Sequence, residues 1–415
     1  MTSAASNGSP HFWLRCALCG QPAESPMSTS CGACGGMLTV DYDAGPMIDP
    51  ARRGMWRYAP ALPVAHPERA LTLGEGGTPL VRSQAIAARL GLTNLYFKVE
   101  GANPTGSYKD RIAAVGLSRM RELGVTGWAA TSSGNAGAAL AAYGARAGMQ
   151  GTLFTLETAP RAKLNQILAY GPRAVAIRDL GRDPKVEKDT FRVVGELAGS
   201  RGWALQITAH AFNPIGMEGV RTISFELAEE LGRMPDCVYV PTGGGGLLSA
   251  IHKGFEEWRA RMLPDGTPAA RMVCVQAEGC EPINLAWREG REMRPIPTCA
   301  TKISGIQLTA PPDGDLALAA VRGSNGWGTS VSDAETYAAQ RMLAREEGLF
   351  CEPASATSLA AVLRDVAAGK IGPNDIVVCI LTGTGFKDAN AVQAMSEGVE
   401  IPVIALEDLA TALAR

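Results

Sequence analysis

From Leu80 onward, short apolar runs of strand composition alternate with segments of helical pattern. NLYFKVE at 94–100 is followed by SYKDRIAAVGLSRMRELG at 107–124, and GWAATSS at 127–133 by NAGAALAAYGARAG at 135–148. GTLFTLE at 151–157 is followed by RAKLNQILAYG at 161–171 and AVAIRDL at 174–180. Farther on, CVYVP at 237–241 leads into LLSAIHKGFEEW at 247–258, then RMVCVQAEG at 271–279, and IVVCILTG at 376–383 closes the series. Strands joined through helices pair in parallel, because a parallel neighbour needs a crossover long enough to return to the same end of the sheet. The alternation therefore predicts α/β layers around a mostly parallel sheet. The helix at 331–348 opens with Ser332 and Glu335 spaced as a capping box.

Residues 1–10 are small and polar, and residues 12–42 hold a cysteine cluster. Residues 43–80 are rich in proline, glycine and arginine and read as a linker that wraps the next unit. For 415 residues, a prior of about 150 per domain gives two to three domains. Hydrophobic residues at 46% and charged residues at 19% fit a packed globular chain. Lys plus Arg number 39 and Asp plus Glu 41, a net charge of −2, which argues against nucleic acid or an anionic membrane as partner. No apolar run reaches about 18 residues and no basic-then-apolar leader opens the chain, so neither a membrane span nor a secretory signal is expected. Six scattered cysteines (Cys237, Cys274, Cys280, Cys299, Cys351 and Cys379) read as buried thiols in a reducing, cytoplasmic compartment.

Glycine is in excess, 48 of 415 residues, or about 12% against a typical ~7%. Its sharpest concentration is Val238-Tyr239-Val240-Pro241-Thr242-Gly243-Gly244-Gly245-Gly246-Leu247, where a strand meets four glycines and then a helix. Successive N–H groups there converge on an anion, and the helix N-terminus adds about half a positive charge. The spacing fits neither a dinucleotide fingerprint nor a Walker loop. It predicts a phosphate cradle, against the plain alternative of a tight strand–helix turn. TSSGNAG at 131–137 is a second such junction, able to hold a carboxylate or a phenolic oxygen, although Ser and Asn are also ordinary N-caps. In NPTGSYKDR at 103–111, Lys109 falls in a first helical turn, where the dipole disfavours the charged amine and favours Schiff-base chemistry. The ordinary alternative is a surface lysine. LTGTGFKD at 381–388 brings Thr382 and Thr384 to a strand end, which by itself is a plain turn.

Taken in order, Lys109 in NPTGSYKDR, Asn135 in SSGNAG, the GGGGL loop and LTGTGFKD closely resemble the threonine synthase family. That family lies among the fold type II, tryptophan-synthase-β-like pyridoxal-phosphate enzymes. The likeness runs from about Arg57 to Asp388 and includes LGEGGTPL at 73–80, VSDAE at 331–335 and EEGLFCEPASA at 346–356. The resemblance implies an α/β catalytic unit over 51–415 with two open twisted lobes, the smaller and mobile one over roughly 125–212, and usually a homodimer. Lys109 would carry pyridoxal phosphate as a Schiff base and serve as catalytic base. Asn135 would bond the 3′-oxygen, and Gly243, Gly244, Gly245, Gly246 and Leu247 would cradle the phosphate. Thr382, with Thr384 as fallback, would face the pyridine nitrogen. Ser132, Ser133, Gly134 and Asn135 would bind the substrate. A hydroxyl does not protonate that nitrogen as a carboxylic acid would, which favours expelling a β or γ leaving group over transamination.

Threonine synthases that use O-phosphohomoserine typically carry N-S-x-N-P-Y-R-x-E-G to hold the substrate's phosphate. Here the stretch is His210-Ala211-Phe212-Asn213-Pro214-Ile215-Gly216-Met217-Glu218-Gly219. The Asn-Pro and Glu-Gly anchors remain, but the asparagine, serine and arginine positions are His210, Ala211 and Gly216. The GGGGL loop also lacks the asparagine that often follows its first glycine. A dianion in a closed site needs charge-assisted partners, and Arg221, Arg161, Lys163 and Arg182 are the residues left to compensate. The reading that follows is a lyase acting on a phosphate-free β- or γ-substituted L-α-amino acid. Loss of water from a β-hydroxy amino acid such as serine, threonine or phenylserine would give a 2-oxo acid and ammonia. Ala211, Phe212, Ile215, Gly216 and Met217 either shape an apolar substrate pocket or pack in the core. His210 either acts on the leaving hydroxyl or is structural. The alternatives are threonine synthase itself and a β-replacement synthase of the cysteate synthase type. A non-catalytic binder on this fold would have no need of Lys109.

Residues 1–50 form the tail and a four-cysteine head. Cys16-x-x-Cys19 and Cys31-x-x-Cys34 present four thiolates on two turns, the pattern of a closed structural zinc site of ribbon type. The alternative is a hairpin that keeps the cysteines without metal. A zinc-based nucleic-acid binder is disfavoured by the charge balance and the lack of a basic cluster.

Overall fold

The computed structural model describes residues 11–43, 47–159, 161–180, 183–409 and 412. An antiparallel hairpin, β1 (Phe12–Cys16) and β2 (Leu38–Tyr42), forms the head. The chain continues through β3 (Leu80–Arg82), α1 (Ala85–Leu90), β4 (Asn94–Val99), α2 (Lys109–Glu122), β5 (Gly127–Thr131), α3 (Asn135–Ala147), β6 (Gln150–Leu156), α4 (Arg161–Ala169), β7 (Arg173–Ile177), α5 (Pro184–Ser200) and β8 (Ala204–Leu205). It then runs α6 (Pro214–Met217), α7 (Thr222–Leu231), β9 (Cys237–Pro241), α8 (Gly246–Met262), β10 (Arg271–Ala277), α9 (Pro282–Arg288), α10 (Gly314–Gly323), β11 (Trp327–Val331), α11 (Asp333–Glu346), α12 (Pro353–Ala367), β12 (Ile376–Leu381) and α13 (Ala389–Met395).

Two open sheets result. The larger has the order β11-β10-β9-β12-β4-β3, parallel except for edge strand β3. The smaller, β7-β6-β5-β8, is parallel throughout. β9 is buried along its whole length and β12 nearly so, as helices on both faces of a parallel sheet require. One core cluster packs α7, α8 and α10 on one face of the large sheet, and a second packs α11 and α12 on the other. A third joins Phe12, Leu14, Leu38 and Val40 of the head to α2 and α3. The capping box at Ser332 and Glu335 is present at α11.

Two expectations fail. Residues 43–80 are not a loose linker: Met55, Trp56, Tyr58, Leu62 and Val64 are buried, and Trp56 Nε1 donates to Glu75 at 2.5 Å. The aromatic and aliphatic residues among the prolines pack this strap into the core clusters it shares with α7 and α8 and with α2 and α3. Nor are all six scattered cysteines free thiols, because Cys280 and Cys299 form a disulfide. The loop after α9 folds back on the turn that ends β10, with Ala300 N–H donating to Gly279 O at 3.1 Å, and this brings the two Cα atoms to 4.7 Å. Cys237, Cys274, Cys351 and Cys379 are buried thiols, each pushed upward in pKa by burial. No helix among the described residues is long and apolar enough to cross a membrane.

Candidate active site

The C-terminal ends of β9 and β12 from the large sheet face those of β5, β6 and β8 from the small one across a cleft of about 1440 Å³. Ligands of open α/β sheets bind at such edges. Lys109, Ser132, Ser133, Gly134, Asn135, Phe212, Gly243, Gly244, Gly245, Gly246, Leu247 and Thr382 all line this one cleft.

Lys109 opens α2. The loop before it is stitched to the β12 loop: Tyr108 N–H donates to Thr382 O at 3.1 Å, and Thr384 N–H to Gly106 O at 2.9 Å. Gly106 has φ +88°, and a Cβ there would lie 2.8 Å from the Thr384 methyl, so the close approach needs glycine. Lys109 and Thr382 are thereby fixed as neighbours. Lys109 Nζ donates to Thr208 Oγ1 at 2.8 Å. Thr384 has its methyl against Gly106 and does not line the cleft, so the fallback position falls away.

Three of the four loop glycines, Gly243, Gly245 and Gly246, have no room for a side chain. A Cβ on Gly243 would lie 2.8 Å from Gly305 O, and one on Gly246 would lie 2.5 Å from Asp313 Oδ2. Gly245 takes φ +93° and turns the chain into α8. The N–H groups of the first turn of α8 have no intrahelical acceptor, and they open on the cleft at this loop. Asp313 buttresses the loop, its N–H donating to Gly244 O at 2.9 Å. The residues therefore fit a bound phosphate held by backbone N–H groups.

At the β5–α3 junction, Ser132 Oγ accepts from the N–H groups of Gly134 at 3.2 Å and Gly137 at 3.0 Å. Its oxygen caps the helix, and its own proton remains to give. Asn135 Nδ2 donates to Glu352 Oε2 at 3.0 Å. Glu352 lines the cleft at the N-cap position of α12 and also accepts from Thr382 Oγ1 at 2.8 Å. Lys387 lines the cleft as well and donates to Gln166 at 2.6 Å. Burial pushes its pKa below the usual lysine range against the pull of Glu352 and Asp110. Glu352 and Lys387 both fall inside the quoted motifs EEGLFCEPASA and LTGTGFKD, and their helix- and strand-end placement is the signal that marks them.

His210 does not line the cleft. Its backbone N–H donates to Asp313 Oδ2 at 2.8 Å, and its ring is buried with Nδ1 3.7 Å from the same oxygen. Of the proposed apolar pocket only Phe212 reaches the cleft, stacked on Phe191 with ring centroids 5.4 Å apart. Ile215, Gly216 and Met217 are buried in α6, because the Asn213 cap turns the chain inward at once. Arg221 is fully buried, 2.7 Å from Glu218, and donates to Ala61 O at 2.5 Å away from the cleft. Arg161 is exposed and does not line it. Arg182 and the side chain of Lys163 lie outside the described residues.

In the head, the Sγ atoms of Cys16, Cys19, Cys31 and Cys34 lie within 4.8 Å of one another. Cys16–Cys34 is 3.5 Å, Cys19–Cys31 3.6 Å and Cys19–Cys34 3.5 Å. A regular tetrahedron with Zn–S of about 2.3 Å has edges of about 3.8 Å, so the cage fits a four-thiolate ion. The N–H groups of Cys19 and Leu18 point at Cys16 Sγ and pull its pKa down to about 6.

A lysine beside a glycine cradle, between two parallel sheets that meet at their C-terminal edges, defines a fold type II pyridoxal-phosphate enzyme. The chain matches the pyridoxal-phosphate dependent enzyme family over residues 71–383, and it belongs to that family in its threonine-synthase-like branch. It is 36% identical over 399 residues to a threonine synthase of Methanocaldococcus jannaschii, covering 93% of this chain and 96% of the relative. It is 37% identical over 391 residues to a threonine synthase of Methanosarcina acetivorans, covering 92% and 93%. In structure it resembles maize serine racemase, with TM-score 0.65 and 23% identity over 77% of this chain and 92% of that one, a likeness of fold.

Proposed function

We propose that the chain is a pyridoxal-phosphate-dependent carbon–oxygen lyase. It removes water from a β-hydroxy amino acid with a bulky or aryl side chain and yields a 2-oxo acid and ammonia. The observation that carries this reading is the wall of the cleft. Phe191 and Phe212 stack there, and among the described lining residues there is no arginine. Two lysines besides Lys109 line the cleft: Lys387 is held by Gln166 between Glu352 and Asp110, and Lys302 is exposed at the rim, where a charge contributes less to holding a dianion than a buried partner would.

When bound, the cofactor supplies an electron sink for the charge left on the substrate's α-carbon. The glycine loop and the first turn of α8 hold its phosphate, and Asn135 and Thr382 orient its ring. Ser133 and the free N–H groups of α3 hold the substrate carboxylate. Lys109 Nζ, steadied by Thr208, binds the cofactor and then moves the α-proton. Phe212 and Phe191 exclude water from the side chain. The four head cysteines hold a structural zinc, supported by the sulfur spacing.

A second reading, threonine synthesis from O-phosphohomoserine, is favoured by similarity to threonine synthases over nearly the whole chain. A substrate panel separates the two. Coupled detection of 2-oxo acid and ammonia from phenylserine, threonine or serine supports elimination. Efficient release of phosphate with formation of threonine overturns it. In both cases Lys109→Ala abolishes the lysine-linked cofactor absorbance.

A further inference from the structure

Loss of water from a β-hydroxy amino acid needs two proton transfers, one off the α-carbon and one onto the departing oxygen, because hydroxide leaves poorly. Lys109 is placed for the first. The second needs a donor beside it. His210 is turned away to Asp313. Lys387 donates to Gln166 at 2.6 Å, Thr382 Oγ1 donates to Glu352 at 2.8 Å, and Ser132 Oγ caps α3. Among the described residues, the hydrogen-bond partner of Lys109 Nζ is Thr208.

Thr208 follows β8, is half-buried and lines the cleft. Its Oγ1 accepts from Lys109 Nζ at 2.8 Å, its one hydrogen bond among the described residues. A hydroxyl that accepts still has a proton to give, and within those residues this proton has no acceptor. The backbone holds the residue still. Gln206 N–H donates to Ala129 O at 2.8 Å, Ala209 N–H to Ile207 O at 3.0 Å and Asn213 N–H to Ala209 O at 2.8 Å. Asn213 Nδ2 donates to Gln206 Oε1 at 3.0 Å, and Ile207 and Ala209 are buried on either side. The leaving oxygen of a β-hydroxy substrate is two bonds from the α-carbon. An amine that reaches that carbon with Thr208 at its side therefore brings the hydroxyl to the leaving oxygen as well.

We propose that Thr208 is a catalytic residue that passes a proton from Lys109 to the leaving hydroxyl; the proposal rests on the elimination reading above. Lys109 Nζ takes the α-proton, and the electron pair of that C–H bond becomes the Cα=Cβ double bond. The Cβ–O bond breaks with its pair on oxygen. That oxygen takes the Thr208 proton as Thr208 takes one from Lys109 Nζ, and water departs. Lys109 and Thr208 end in the protonation states in which they began, and nothing is oxidised or reduced.

The test compares holoenzyme of wild type, Thr208→Val and Thr208→Ser on serine or phenylserine and on β-chloro-L-alanine, whose chloride departs without a proton. Valine keeps the branched shape and removes the hydroxyl. Thr208→Val should lower kcat for water loss about a hundredfold or more, with cofactor stoichiometry retained, and change chloride elimination by less than about threefold. Exchange of the α-hydrogen of serine in D₂O, followed by ¹H NMR, should persist, and Thr208→Ser should restore water loss. In cofactor-free protein, acylation of Lys109 by a small reagent, followed by mass spectrometry, should be faster in Thr208→Val than in wild type or Thr208→Ser, because the amine is no longer held. Equal falls for both substrates, loss of the exchange, an unchanged rate of water loss, or unmoved labelling of Lys109 overturns the proposal. A wild-type enzyme that eliminates from none of these substrates and makes threonine and phosphate from O-phosphohomoserine overturns the elimination reading itself, and the proposal with it.

Discussion

Within the glycine loop, neighbouring positions should respond very differently to one added methyl group. Gly245 takes φ +93°, a conformation that costs a residue with a Cβ about 1–3 kcal/mol. Its Cβ would also lie 2.5 Å from Asp313 O, a backbone atom that no side-chain rotation can move. Shifting Asp313 strains its bond to Gly244 O, 2.9 Å long and worth about 1 kcal/mol. Gly245→Ala therefore carries a penalty of about 2–4 kcal/mol. In the free protein the loop relaxes away from the cradle shape, and binding must restore it. The penalty then appears as about thirty-fold to several-hundred-fold weaker cofactor affinity. At Gly244 the nearest atoms to a Cβ are Pro312 Cδ at 3.5 Å and Leu308 Cδ1 at 3.6 Å, ordinary contacts. Gly244→Ala should cost no more than about 0.5 kcal/mol, or about two- to threefold. Spectroscopic titration of each apo-protein with pyridoxal phosphate measures both. Equal affinities for the two variants, or a larger loss at 244, would refute the cradle geometry.

Three further outcomes are expected. Purified protein should contain one zinc per chain, and Cys34→Ser should lose it and lower the melting temperature while leaving kcat unchanged, since no head cysteine lines the cleft; metal-free protein of full stability contradicts this. Phe212→Ala should lower kcat/KM for phenylserine about tenfold more than for serine, because Phe212 and Phe191 form the apolar wall, and an equal fall for both substrates removes the wall's role. Asp110 is fully buried and its pKa is pushed up to about 7, chiefly by burial. A raised carboxyl pKa stabilises the fold below the unfolded value of about 3.9, and that stability is lost as pH rises through about 7. In urea unfolding, Asp110→Asn should therefore gain on wild type from pH 5 to pH 8, by up to about 3 kcal/mol; a pH-independent difference would place the shift elsewhere.

What the sequence carried legibly were strand-to-helix junctions. Lys109, Ser132 to Asn135, the four glycines and Thr382 each follow a strand of the parallel sheets, and a parallel sheet delivers all such junctions to one edge. The failures have a common cause, which is that they depend on partners far along the chain. His210 follows the same logic as Thr208, but its N–H is claimed by Asp313, 103 residues away, and the ring turns from the cleft. Thr384 is excluded by the seam with Gly106. Cys280 and Cys299 are scattered in sequence and meet only because the loop after α9 returns over β10. Phe191 lies on the exposed-looking helix α5 and acquires meaning only through Phe212.

The direction of Lys109, the lysine proposed to react, is itself set by its neighbours. Lys109, Asp110 and Arg111 are consecutive, and each step around a helix turns about 100°, so fixing two fixes the third. Asp110 accepts from Thr105 N–H at 2.6 Å and locks the loop before the helix. Arg111 is fully buried and donates to Glu100 at 2.7 and 2.8 Å and to Glu226 at 2.6 and 2.9 Å. Such a cluster adds little net stability over an apolar one of equal volume, but removing one member strands the others at about 3–5 kcal/mol. A rotation of α2 that took Lys109 out of the cleft would strand all of them at once. Buried charges outside the cleft are in this way what aims the amine proposed to react.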